Sequence, residues 1–339
     1  MPKISFCFTT YKRSDILKST LESIKIQTFS DYEVIVSDND PEGSSRAALE
    51  EMHDDRFKYF PNGANLGMKP SFNKSLERST GEYIVMIADD DPVYPGMLDT
   101  LISLQEKYPG YGMYLGGGDW FCTHPIVAEL YNMKVGTNTL LNNDHEIDYI
   151  WKLNPEQFIT GLFHFNLLRN YLWSSGMVSR NVLIEMGGVP DYGTPFLGDY
   201  AYLSIMAAHS GVVVINRALG RQTIHLENFG RAQNDQLKKA VTGFREYAAK
   251  QFKKKNMPPS VYASMDRFLG LWVGIHLAFL FQYYKKNNLS IAPLNIAEKE
   301  IFTIPIVKKF YWKYKIKKNF PHFHDIIVAV KKKIAFKTL

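Results

Sequence analysis

Three consecutive carboxylates, Asp89-Asp90-Asp91, follow the most hydrophobic stretch of the first hundred residues, EYIVMIA at 82–88. Like charges this close repel. Hard divalent cations prefer carboxylate and phosphate oxygens, so Mg²⁺ or Mn²⁺ bridging a diphosphate offsets that cost. An acidic turn capping the next helix is the plainer alternative. Asp38-Asn39 closes a second apolar run, YEVIVS at 32–37, where an acidic group can accept hydrogen bonds from a base or ribose. An Asx turn accounts for the same residues, and Asp40-Pro41 favours a turn there. No GxGxxG follows the first strand and no GxxxxGK[ST] occurs, which argues against a nicotinamide or flavin enzyme and excludes a P-loop nucleotidase.

These residues need a frame that brings strand ends together. Residues 3–9 (KISFCFT), 32–37, 56–60 (RFKYF) and 82–88 read as strands. Between them, Ile16, Leu17, Leu21 and Ile24 fall at helical spacing, residues 68–79 read as a helix, and Pro95 opens another with Met97, Leu98, Leu101 and Ile102 on one face. The alternation predicts an α/β domain with a parallel sheet and right-handed crossovers. Ligands in such sheets gather at the carboxyl ends of the strands, here Thr9-Thr10-Tyr11, Asp38-Asn39-Asp40 and Asp89-Asp90-Asp91. Residues 112–172, aromatic-rich with Gly116-Gly117-Gly118, show no clear period and are assigned to the acceptor side of a cleft. Residues 174–179 and 212–216 read as strands, 181–186 as a short helix stopped by Gly187-Gly188, and 199–210 as a helix; from 234 onward the pattern is helical.

The chain has 339 residues, 45% hydrophobic and 22% charged, enough for a sizeable core and too apolar for a disordered chain. Two cysteines, Cys7 and Cys122, make neither a disulfide framework nor a four-ligand zinc site, so a reducing compartment is expected. No basic stretch followed by an apolar one opens the chain, so no signal peptide is expected. The net charge of +6 conceals an asymmetry. Residues 1–237 hold 19 Lys/Arg against 29 Asp/Glu, whereas residues 238–339 hold 21 against 5. This predicts an acidic catalytic body with a basic appendage.

Taken together, SFCFTTYKR, EVIVSDND, NGANLGMKPSFNKS and GEYIVMIADDDPVYPGML resemble a family 2, GT-A-fold glycosyltransferase, and GGVPDYGTPFLGDYAYL with IHLENFGRA is similar to that family's acceptor-side motifs. The likeness covers residues 3–232 and looks most like bacterial enzymes of O-antigen or capsule synthesis. It implies a GT-A domain over 1–232 (1–110 holding the nucleotide-sugar, 111–232 the acceptor) and a helical, basic region over 233–339. It further implies Thr10, Tyr11 and Arg13 around the nucleotide, with Tyr11 near the base, Asp38 reading that base with Asn39 beside it, and Asn65, Gly67 and Lys69 lining the donor pocket. The family's Asp-Ala-Asp-Asp falls on Ala88-Asp89-Asp90-Asp91, so its first Asp is Ala88 here. Asp89 and Asp90 are then donor-site residues, and Asp90, Asp91 and His225 the metal ligands for Mg²⁺ or Mn²⁺.

Asp199 matches the family's acid–base position, with Gly198 where an acidic neighbour is usual. An inverting transfer needs one carboxylate to take the acceptor hydroxyl's proton. A helix cap is the alternative for Asp199 alone, a structural role for His225, and a solvated side chain for Arg231, otherwise assigned to a phosphate contact. Trp173 and the turn at Ser175 are assigned to acceptor binding, with core packing the alternative for the tryptophan. A non-catalytic nucleotide-sugar or glycan-binding protein on the same scaffold remains the rival reading. A nucleotidyltransferase is disfavoured because TTYKRSD is not a Gly-rich signature.

In the basic region, residues 268–281 are 14 apolar positions interrupted by one His, about 21 Å as a helix and short of a membrane span. Residues 301–339 carry ten Lys against Asp325 alone, interleaved with aromatics. That fits an interfacial helix on anionic lipid, with nucleic acid or a solvated face as competitors. His322 and His324 are two apart and read as surface residues. The expected partners are a nucleotide-sugar donor, most simply a UDP-sugar, a glycan or polyprenyl-diphosphate-linked acceptor and an anionic membrane surface, without nucleic acid; an oligomer is compatible. The expected place is the cytoplasm, at the inner face of the cell membrane.

Overall fold

A computed structural model describes residues 1–131, 133–139, 148–167, 171–226 and 236–320. The first half alternates β1 (Ile4–Thr10), α1 (Ser14–Lys25), β2 (Tyr32–Asp38), α2 (Arg46–Glu50), β3 (Phe57–Pro61), α3 (Met68–Arg78), β4 (Tyr83–Ala88) and α4 (Met97–Lys107). Then come β5 (Met113–Cys122), α5 (Pro125–Tyr131), β6 (Asn138–Thr139), β7 (Ile150–Leu153), α6 (Pro155–His164), a 3₁₀ turn at Trp173–Ser175, β8 (Gly176–Ser179), α7 (Arg180–Glu185), α8 (Gly198–Ser210) and β9 (Val212–Ile224). Five helices complete the chain: α9 (Leu237–Lys254), α10 (Pro259–Lys286), α11 (Ala292–Ile301), α12 (Pro305–Lys308) and α13 (Tyr311–Asn319).

The strands form one sheet in the order β3-β2-β1-β4-β8-β5-β9-β7, with β6 pairing β5. β1 to β4 are mutually parallel, β8 is antiparallel to both neighbours, and β5 and β9 are parallel. Both faces are covered. Phe6, Phe8, Val34, Val36, Val85 and Ile87 face α1, α2 and α4, while Cys7, Ile84, Met86, Met113 and Val214 face the layer of α3 and α6 to α10. Strands buried on both sides read as continuous apolar runs, which is why β1, β2 and β4 were visible in the sequence. β5 was not, because Gly116-Gly117-Gly118 breaks its apolar pattern. The glycines are needed: a Cβ on Gly116 would come within 2.4 Å of Leu219 Cγ, where the β5–β9 register also slips. β9 runs eight residues past the expected 212–216, its second half carrying Arg217, Arg221 and Gln222.

The helical region is not an appendage. One hydrophobic core runs from Met86 and Phe72 through Phe163, Tyr202 and Phe244 to Phe268, Leu277, Val307 and Tyr314. Residues 268–281 form the middle of the 28-residue helix α10, and most of its apolar window is buried inside the protein. Among the described residues it is the one helix long and apolar enough to cross a bilayer, and its burial marks it as a core helix. The expected single helix over the basic tail is broken into α12 and α13. Residues 321–339, with His322 and His324, lie outside the described residues.

Phe268 ties these layers together. Its ring stacks on Phe163 of α6 at 5.1 Å and lies 4.6 Å from Tyr200 of α8, and it is fully buried. Phe268→Ala should therefore lower global stability by about 3–5 kcal/mol in a urea titration with a single transition. A C-terminal region that folds as a separate unit would instead give two transitions.

Candidate active site

The acidic turn sits at the carboxyl end of β4, between the ends of β1 and β9. The central sheet order β2-β1-β4 leaves Thr10, Asp38 and Asp89 at neighbouring strand ends. Asp89 is buried, and both its oxygens are held: Thr10 Oγ1 donates at 3.0 Å and Arg13 Nη1 at 3.1 Å. Its backbone carbonyl accepts from Thr20 Oγ1 at 2.7 Å. Asp89 thus fastens the β1–α1 turn to the acidic turn. Burial, with Asp90 adding to it, pushes its carboxyl up to about 6 despite Arg13 and Thr10.

Asp90 is the least buried of the three, its side chain 13% exposed. Its Oδ2 takes Arg13 Nη1 at 3.2 Å and lies 3.1 Å from His225 Nε2, just beyond the end of β9. Asp91 is buried, with the Thr223 backbone N–H donating to it; burial, then Asp90 and Asp199, hold its carboxyl well above the usual range. Asp199 stands in the first turn of α8. Leu197, just before that helix, is left-handed at φ 62°, a conformation costly for a branched residue and typical of strain kept at functional sites. Burial, with Asp90 adding to it, raises the Asp199 carboxyl to about 6, while Lys69 acts in the opposite direction. A carboxylate so poised suits proton abstraction near neutral pH. Gly198 leaves open space beside it: a Cβ there would meet nothing within 4 Å.

Lys69 is the residue whose setting no spacing revealed. It is buried in the first turn of α3, its Nζ has no hydrogen-bond partner, and it lies 3.3 Å from the centroid of the Tyr192 ring. Burial lowers its ammonium to about 7, although Asp191 and Asp199 favour the charge. Tyr192 itself is 123 positions away in sequence and carries no local signal.

Other assignments change. Asp38 is fully buried, with Oδ1 accepting from Asp40 N at 2.8 Å and Oδ2 from Tyr59 Oη at 2.9 Å. Both oxygens brace the β2 loop, the arrangement the turn alternative expects. Asn39 is likewise consumed, donating to the Gly67 carbonyl at 3.2 Å and accepting from Asn62 at 3.0 Å. Thr10 and Arg13 act on Asp89 and Asp90, which makes them residues that shape the acidic turn. Tyr11, 43% exposed, remains at the mouth, as does the exposed loop of Asn65 and Gly67, where Asn65 Oδ1 accepts from Gly67 N at 2.9 Å. Trp173 packs in the core, edge-on to Phe72 at 4.9 Å and Tyr202 at 5.6 Å. Ser175 is fully buried against Gly118 and Gly220. Neither can reach an acceptor from solvent. Arg231 and the second half of IHLENFGRA lie outside the described residues.

Among the described residues no three His, Cys, Asp or Glu side chains form a ready-made metal site. Asp90 and His225 offer two ligands on one side of the opening, and a cation that dehydrates reluctantly is commonly held by one or two carboxylates plus substrate phosphates. The donor set fits Mg²⁺ or Mn²⁺ on that basis, with Asp90 as the carboxylate and His225 beside it.

Residues 5–152 match the model of Glycosyl transferase family 2. Over 120 residues the chain is 35% identical to the GalNAc(5)-diNAcBac-PP-undecaprenol beta-1,3-glucosyltransferase of Campylobacter jejuni, which is 34% of this chain and 38% of that protein. Over 141 residues it is 26% identical to the UDP-Glc:alpha-D-GlcNAc-diphosphoundecaprenol beta-1,3-glucosyltransferase WfgD of Escherichia coli, 41% of this chain and 55% of that one. The chain thus spans about half the length or less of these curated relatives. In fold it is similar to residues 1–349 of S. aureus TarS in complex with UDP, with a TM-score of 0.58 at 13% identity, covering 92% of this chain and 91% of that one. The parallel half-sheet ending in an acidic turn and the match over residues 5–152 agree: that segment is similar to glycosyltransferase family 2, and the chain is built on the GT-A fold.

Proposed function

We propose that the protein is an inverting glycosyltransferase that moves a sugar from a nucleotide-sugar, most simply a UDP-sugar, to a hydroxyl of a lipid-linked glycan in bacterial surface-polysaccharide synthesis. The observation that carries this reading is Asp199: a half-buried carboxylate raised to about 6, in the first turn of α8 and close enough to Asp90 to feel its charge. In this reading Asp199 takes the proton of the acceptor hydroxyl as that oxygen attacks the anomeric carbon, opposite the departing diphosphate. Asp90 and His225 would hold Mg²⁺ or Mn²⁺, whose positive charge would offset the charge building on the diphosphate. Arg13 keeps Asp90 oriented, and Asp89 keeps Arg13 in place. Lys69 reaches the donor side from beneath Tyr192. Tyr11 and the loop of Asn65 and Gly67 border the base and sugar.

The lipid-linked acceptor is supported by the two relatives whose names specify undecaprenol-diphosphate substrates, and the uridine donor by the name of one of them and by the ligand in the TarS complex. The second reading, a nucleotide-sugar or glycan binder without turnover, draws on Ala88 in place of an acidic residue and on the lack of a ready-made three-ligand cluster among the described residues. Turnover separates the two.

A thermal-shift panel of UDP, dTDP, CDP and GDP, each with and without Mn²⁺, should show UDP stabilising the chain only with the metal. At about 100 times the dissociation constant the gain is roughly 2.7 kcal/mol. Asp90→Ala should erase the metal-dependent part, and an unchanged shift in that variant would remove Asp90 from the site.

Asp199→Asn should lower transfer by about a hundredfold or more while leaving the UDP–Mn²⁺ shift intact. Its stability has a definite sign. A carboxyl raised in the folded state destabilises the fold as pH climbs from about 4 to about 6, and fully above that. The asparagine variant should therefore gain about 1–3 kcal/mol at pH 7.5 and nothing near pH 4. Transfer by the unmodified chain should fall as pH drops through about 6. A pH-independent stability difference would show that Asp199 is not the raised carboxyl.

A further inference from the structure

The lysines of the C-terminal layer divide into two sets. Lys315 and Lys318 turn inward onto Glu298, at 3.2 and 2.6 Å, and Lys318 also lies 3.5 Å from the Phe281 ring centroid. Lys308 and Lys309 are exposed at the end of α12, and no carboxylate among the described residues pairs with either. The backbone keeps helical spacing across the break: Lys309 N donates to Pro305 O, Phe310 N to Val307 O, and Tyr314 N to Phe310 O. Val307 and Tyr314 are buried, and α12 and α13 both contact α10. That spacing directs 307, 310 and 314 inward and sets Lys308, Lys309, Trp312, Ile316 and Phe320 on the opposite side.

Side chains that the core would ordinarily claim are left outside here. Trp312 is 56% exposed and Phe320 64%, and Ile296 on the neighbouring α11 is 62% exposed. The Lys313 Nζ lies 5.4 Å from the Trp312 ring centroid. Between α11 and α12 is a shallow cavity of about 660 Å³, lined by Asn295, Glu298, Lys299, Phe302, Lys308 and Tyr311. Exposed tryptophan between lysines matches a bilayer interface, where the ring lies at headgroup level and the ammonium groups meet phosphates. Nucleic acid would also attract the lysines, but the aliphatic Ile296 and Ile316 offer a base neither a stacking face nor a hydrogen bond, whereas acyl chains receive them.

We propose that the α11–α13 face, centred on Trp312 with Lys308 and Lys309, docks the chain flat on an anionic lipid bilayer. Helix α10 stays in the protein core behind it. The proposal is independent of the donor, the acceptor and the reaction.

The test is flotation of the full chain with vesicles of phosphatidylcholine alone or mixed with phosphatidylglycerol. The chain should float only with the anionic vesicles, and about 0.5 M salt should release it. The double variant Lys308→Gln/Lys309→Gln should weaken partitioning about thirtyfold, and Trp312→Ser should weaken it further. The control Lys253→Gln/Lys254→Gln removes equal charge from the end of α9 and should stay within about threefold of the unmodified chain. Each variant is checked for folding by its thermal midpoint. Equal flotation with neutral vesicles, equal losses in both lysine pairs, or tighter binding to an oligonucleotide than to anionic vesicles would each overturn the proposal.

Discussion

The constraint on which the rest depends is the burial of like charge at the end of β4. Asp89 and Asp91 are both nearly closed to solvent, Asp90 lies between them, and Asp199 approaches from α8. Left alone, such a cluster would neutralise by taking up protons. The chain instead surrounds it with donors from separate elements: Thr10 and Arg13 from the β1–α1 turn, the Thr223 backbone from β9, and His225 beyond it. The neutralisation remains incomplete, as the raised carboxyls show. That residual demand for positive charge is what a cation with a diphosphate would meet, and it explains why the β1–α1 turn, α8 and the end of β9 must converge on one point.

How much of this was legible depends on whether the information was local. The parallel strands and the acidic turn were readable because a doubly covered strand is apolar throughout and the polar switch at its end is abrupt. The helix start that carries Asp199 was readable too. Asp38 shows the limit. Its position at a strand end was right, but its use is decided by Tyr59 and by the amide of Asp40, which fold around the carboxylate and close it off. A strand-end carboxylate that faces a ligand and one that braces its own loop have the same one-dimensional signature. Trp173 fails for the same reason: its neighbours Phe72 and Tyr202 come from α3 and α8, distant in sequence.

Lys69 and Tyr192 show the reverse case: the motif named the lysine, but its pairing with the tyrosine ring has no local signature. The lysine rises from the first turn of α3 and the tyrosine ring arrives from the loop before α8. Neither residue type is unusual in its own stretch. Only the fold reveals an ammonium that is buried without a hydrogen bond and next to the proposed base.

Charge asymmetry was the most misleading signal, because net charge concerns solvation and not packing. The excess of lysine after residue 237 suggested a basic appendage, yet Phe268 stacks on Phe163 and reaches Tyr200, the residue that follows Asp199. The helical layer is therefore a structural support for the first turn of α8. The lysines lie on its outer side, and two of those nearest the core are paired with Glu298. A layer that buries its aromatics on one side and displays lysine with tryptophan on the other has two solvents to satisfy, the protein interior and whatever lies against Trp312.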